Sequence, residues 1–152
     1  MNQGFISVPF KTETAHGFTS VNGVAKFSAA GIVFEFESKF LGLLGGGVKE
    51  ARLPIGEILD IKFRKRFFKR SGKIEIRTRT YATLATLPNE DGKVTLKLGR
   101  YDLERGEEAV RQIERTIEAL ARDLPPPQTP VSQLFLDDTE DETRELKKEA
   151  DK

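Results

Sequence analysis

Apolar and polar residues alternate with period two along most of this chain, in seven short runs that give way to one run of helical period. In the first, Val21, Gly23, Ala25 and Phe27 alternate with Asn22, Lys26 and Ser28. Ala29-Ala30-Gly31 predicts a tight turn into the second, where Ile32, Phe34 and Phe36 alternate with Glu35 and Glu37. Val48 to Pro54 forms a third, and Ile58 to Arg66 a fourth in which Ile61 and Phe63 interleave with Lys62, Arg64 and Arg66. After Arg70-Ser71-Gly72 comes a fifth, with Ile74 and Ile76 between Lys73, Glu75, Arg77 and Arg79. The sixth, Tyr81 to Leu87, is irregular: Leu84 and Leu87 fall out of phase, so a bulge or a misplaced boundary is expected. Glu90-Asp91-Gly92 turns into the seventh, where Val94, Leu96 and Leu98 alternate with Lys93, Thr95 and Lys97. One polar face throughout is what an antiparallel sheet with a single buried side requires.

At Asp102 the period lengthens. Val110, Ile113, Ile117, Leu120 and Leu124 recur at spacings of three and four, opposite Arg111, Glu114, Arg115, Glu118 and Arg122. Asp102 is read as the N-cap, Glu104, Glu107 and Glu108 complement the positive end of the helix dipole, and Pro125-Pro126-Pro127 stops the helix. The stripe is too short to stand alone as a coiled coil, so it is expected to close the sheet. The predicted fold is mainly β: a bent seven-stranded antiparallel barrel capped by one C-terminal α-helix.

Composition adds a division. Residues 1 to 124 carry 21 Lys and Arg against 16 Asp and Glu, whereas 125 to 152 carry 4 against 8. The second segment has a Pro-rich spacer, an apolar patch Leu134-Phe135-Leu136 and an acidic run from Asp137 to Glu145, a composition that predicts a flexible, disordered acidic tail. The patch is the candidate for docking on the domain or on a partner. The organisation expected is an N-terminal extension over 1 to 19, a domain over 20 to 124, and the linker and tail over 125 to 152. Eleven Phe supply core bulk, and the absence of Cys removes disulfide and thiolate chemistry. Met1 to Thr19 lacks the cationic start and apolar run of a signal peptide, so a cytoplasmic protein is expected, with a peripheral membrane position left open.

Within this order of elements, Glu50-Ala51-Arg52-Leu53-Pro54-Ile55-Gly56-Glu57-Ile58-Leu59-Asp60-Ile61 carries a hydrophobic-Pro-hydrophobic-x-x-Ile pattern. It resembles the junction of the third and fourth strands in pleckstrin-homology-like (PH-like) domains, notably their bacterial PH-like and GRAM-like branches. Lys73-Ile74-Glu75-Ile76-Arg77-Thr78 is similar to the fifth strand that follows. The resemblance covers about residues 18 to 124. It implies a bent seven-stranded barrel capped by a helix, no enzymatic activity, and binding of phospholipid headgroups, peptides or copies of itself. Lipid-binding members of the family carry a basic motif in the loop joining the first two strands. Here that loop is read as Ser28-Ala29-Ala30-Gly31, with Lys26 the nearest cation, which argues against the usual phosphoinositide pocket.

Two stretches carry candidate chemistry. From Lys62 to Lys73, seven of twelve residues are Lys or Arg, around Phe67 and Phe68. The anion- or lipid-binding candidates are Lys62, Arg64, Lys65, Arg66, Phe67, Phe68, Lys69, Arg70, Lys73, Arg77 and Arg79, with Glu75 the opposing acid; a solvated hairpin that guards a sheet edge is the competing reading. The second stretch runs from Lys39 to Gly47 and is apolar yet glycine-rich, with Phe40, Leu41, Leu43 and Leu44 as interaction candidates. It either folds over the barrel mouth, contacts another copy, or enters a membrane. No catalytic residues, metal ligands or cofactors are predicted: His16 stands alone, and no nucleophile or paired-carboxylate motif appears. The expected function is a non-catalytic module for protein contacts or self-assembly. An anionic membrane at the basic hairpin is the alternative, nucleic acid ranks below both, and no small-molecule substrate is expected.

Overall fold

The first strand lies upstream of the first run read from the sequence. Val8 and Phe10 are buried and alternate with exposed Pro9 and Lys11, which makes Ile6–Thr14 a strand, β1, where an N-terminal extension was expected. The computed structural model describes residues 4 to 41, 43 to 66, 68 and 70 to 123. The tail candidates Leu134, Phe135 and Leu136, and the tail expected over 125 to 152, lie outside them.

Six more strands follow: β2 (Thr19–Ser28), β3 (Gly31–Phe40), β4 (Leu43–Pro54), β5 (Ile58–Arg66), β6 (Ser71–Thr78) and β7 (Lys93–Leu98). Together they form one antiparallel sheet ordered β4-β3-β2-β1-β7-β6-β5. β1 pairs with β2 from Ile6 to Thr14 and meets β7 at Lys11 and Lys97, so it joins the two halves of the sheet.

The expected sixth strand is absent. Tyr81–Leu84 is a single helical turn, α1, and the spacing of three between Leu84 and Leu87 is helical spacing that buries both. The Asn89 side chain holds this segment by donating to the carbonyls of Leu84 at 2.8 Å and Leu87 at 3.0 Å. The register shifts fall elsewhere, between Phe36 and Ser38 and between Ile58 and Asp60. The turn at Glu90-Asp91-Gly92 is as expected, with φ of 54° at Asp91 and 78° at Gly92, both in the left-handed region that a two-residue hairpin turn demands.

Helix α2 (Leu103–Asp123) begins directly after Asp102, which belongs to a short 3-10 turn. Its buried residues are Gly106, Ala109, Val110 and Ile113; Ile117 is half-buried and Leu120 is exposed, so only the first part of the apolar stripe is covered. Gly106 permits the approach: a Cβ there would strike Leu98 and lie 3.5 Å from the Phe63 ring and 3.6 Å from Ile74. All seven strands, Leu84, Leu87 and this helix face contribute to one apolar core. Two units partition the chain, Met1–Ala121 holding the sheet and Arg122–Lys152 containing the last two residues of α2.

Candidate functional site

Strand pairing decides which of the predicted cations meet. β5 and β6 are joined by residues 67 to 70, with Arg66 opposite Ser71, Arg64 opposite Lys73 and Lys62 opposite Glu75. β7 then sets Lys97 opposite Lys73, and β1 sets Lys11 opposite Lys97. Arg64, Lys73, Lys97 and Lys11 thus form a row of four cations on the outer face, one per strand, about 4.8 Å apart. Lys11 and Lys97 were not among the sequence candidates. Lys65 falls on the alternate row with Phe63 but is exposed beyond the core, and Lys62, Arg66, Arg70 and Phe68 are exposed too. Phe67 and Lys69 lie outside the described residues.

Like charges side by side on a sheet need compensation, and Glu75 supplies it. Its side chain is about 10 % exposed and lies 2.7 Å from Lys73 Nζ, 3.2 Å from Arg64 Nε and 3.7 Å from Lys93 Nζ. The hydrogen bond from Lys73 holds its carboxyl below the usual range, against the opposing effect of burial, with the charges of Lys73, Lys93 and Arg64 assisting. A depressed pKa in the fold adds stability above the unfolded value of about 4.5, and that stability is lost as the pH falls through the lower folded value. Glu75→Gln is expected to cost about 1 to 3 kcal/mol near neutral pH and to flatten the loss of stability on acidification. Urea melts of both proteins at about pH 7 and about pH 4 check this.

Arg77 is committed elsewhere. The register shift after Ile58 places Asp60 opposite Arg77, and the two form an ion pair that lowers the Asp60 pKa chiefly through the Arg77 hydrogen bond and raises that of Arg77. Arg79 lies past the end of β6, beside Tyr81 and Asp91 in a shallow cleft rather than in the cation row.

The Lys39 to Gly47 stretch is a hairpin and not a loop over the barrel mouth. β3 runs on to Phe40 and β4 starts at Leu43, with Phe40 paired to Leu43 and Lys39 to Leu44. Leu41 N–H donates to the Phe18 carbonyl at 3.0 Å, which brings the β1–β2 turn beside the β3–β4 turn. Phe18, Phe40, Leu41 and Leu43 are 55 to 74 % exposed, and Val48, the last of three β4 residues left without a partner between Gly45 and Lys49, is exposed as well. Leu41 also has a φ of 50°, in the left-handed region that disfavours such a side chain. The strands carry this tip on a free side, because β4 is an end strand of the sheet. Phe18 was the residue missed here, since its role follows from a turn between strands not both foreseen.

With β1 in place, the loop joining the first two strands is not Ser28 to Gly31 but the turn from Ala15 to Phe18. It holds no Lys or Arg. His16, in that turn, is exposed and lies 3.6 Å from Glu90. No helix among the described residues is long and apolar enough to cross a membrane. Comparisons with protein-family models, with curated proteins and with solved structures found no significant match to this chain.

Proposed function

We propose that this chain is a PH-like binding module that performs no bond chemistry and associates with copies of itself through the apolar tip formed by Phe18, Phe40, Leu41 and Leu43. The PH-like reading is supported by the seven antiparallel strands and the helix that follows them; the Leu53-Pro54-Ile55 motif falls at the β4–β5 junction, one strand later than the resemblance implied, because β1 precedes the first run read from the sequence. The observation that carries the self-contact is Leu41. Its side chain is 64 % exposed and its backbone sits in an unfavourable region, so the isolated domain gains nothing from a leucine there. Beside Phe18, Phe40 and Leu43 it makes an apolar patch of the kind that marks a contact surface. A second copy is the natural occupant, because an apolar patch next to the outer edge of an end strand is complementary to itself about a twofold axis.

The test is the mass in solution by light scattering. A mass above the 17.1 kDa of one chain is expected. Leu41→Asp with Leu43→Asp is expected to return the protein to monomer without loss of fold, since both side chains are already in water. A monomeric parent protein, or a double variant that keeps the larger mass, rejects the reading.

A further inference from the structure

We infer that the β5–β6 hairpin, with the sheet face beside it, is a docking surface for bilayers rich in acidic phospholipid. This goes beyond the self-contact reading and does not rest on it. The first observation is Phe68, 99 % exposed in the turn of a hairpin whose strands carry cations on both sides. The second is the state of those cations. Among the described residues, Lys62, Lys65, Arg66, Arg70 and Lys11 have no acid within ion-pair distance, although Glu75, Asp60 and Glu13 neutralise their neighbours. The third is arrangement: the row Arg64, Lys73, Lys97 and Lys11 runs from the hairpin across four strands, a strip about 14 Å wide, and although Glu75 and Glu13 pair with its first three members, four cations against two acids leave the strip net positive.

A single protruding ring needs a partner that closes around it. The interface of a fluid bilayer does so at no cost in shape complementarity, placing the ring at the acyl boundary while Lys65, Arg66 and Arg70 sit among the headgroups. A single-stranded nucleic acid would need aromatic faces spaced along a basic groove for successive bases, and Phe68 stands at a tip. The β5–β6 turn is also at the far end of β6 from the β6–β7 connection, where Glu90 meets His16 of the β1–β2 turn. The apolar tip is therefore free when the hairpin is occupied.

The full chain is sedimented with phosphatidylcholine vesicles, with and without phosphatidylserine at about a third of the lipid, at low and at physiological salt. Binding is expected only to the acidic vesicles and is expected to weaken with salt. Each cation at such a surface contributes about fivefold, so Lys65→Glu with Arg66→Glu is expected to lower partitioning by more than about 25-fold. Phe68→Ala is expected to lower it by about tenfold through loss of apolar burial. Leu41→Asp with Leu43→Asp, the variant that disrupts the apolar tip, is expected to bind vesicles, which separates failure of this inference from failure of self-association. Circular dichroism confirms that each variant folds. No binding to acidic vesicles at low salt, binding that survives the charge reversal, or hairpin-dependent capture of single-stranded RNA without capture of vesicles overturns the inference.

Discussion

Replacing Gly23 with valine is expected to cost at least about 3 kcal/mol, a large part of the stability of a domain this size. Gly23 is in the middle of β2, between Phe10 of β1 and Phe36 of β3 in the strand register. A Cβ placed there would collide with the Glu35 carbonyl oxygen and lie 2.7 Å from the Phe36 Cβ and 2.9 Å from its Cα. Two of those three atoms are backbone, so no rotamer change relieves the clash, and the β2–β3 pairing itself must open. The close approach lets β2 pass near Phe36 while Phe10 and Phe34 pack edge to face, with ring centres 6.1 Å apart. Alanine is expected to show a smaller loss in the same direction. Gly56 serves as the control, because a Cβ there meets nothing within 4 Å and its backbone is not in the left-handed region. Thermal melts followed by circular dichroism give the order: Gly56→Ala near the parent protein, Gly23→Ala below it, Gly23→Val lowest by roughly 10 °C or more.

Ile113→Asp is expected to be comparably damaging. Ile113 is fully buried and belongs, with Ala109 and Val110, to the helix face that completes the core. A carboxylate there would be desolvated among apolar groups, and the fold must either protonate it or release the helix, at about 4 kcal/mol or more. Ile113→Val removes one methylene and is expected to cost only about 0.5 to 1.5 kcal/mol. Urea denaturation resolves the two. An aspartate variant as stable as the valine variant would mean that α2 does not close the core.

The fold was legible where alternation was unbroken and local. Ile58 to Arg66 was delimited to the residue because Ile61 and Phe63 alternate cleanly with cations. Tyr81 to Leu87 was misread because Leu84 and Leu87, three apart, are a helical signature set among strands. β1 fell within the expected N-terminal extension, and its Pro9 and polar second half are features that argue against an inner strand. The structure reconciles this: pairing with β7 is confined to Lys11, so Ile6 to Phe10 have an edge on that side, where proline is tolerated. The hairpin from Phe40 to Leu43 read as a loop because its apolar residues face water at the turn and the glycines after it weaken the strand pattern.

The candidate site followed the same divide. The cations of the β5–β6 hairpin could be found by counting, since they are neighbours in sequence. Their partners could not. Asp60 meets Arg77 only because a register shift moves it there, and Glu75 gathers Arg64, Lys73 and Lys93 from three strands. Lys11 and Lys97 joined the row through a contact between the first and last strands, which no local pattern announces.

The apolar tip is tested most directly by amide hydrogen exchange of the full chain at two protein concentrations. Self-association predicts slower exchange at the higher concentration in peptides containing Phe18 and Phe40 to Leu43, with α2 unchanged. Exchange at the tip that is the same at both concentrations, in a protein that does associate, would place the contact elsewhere and contradict the account.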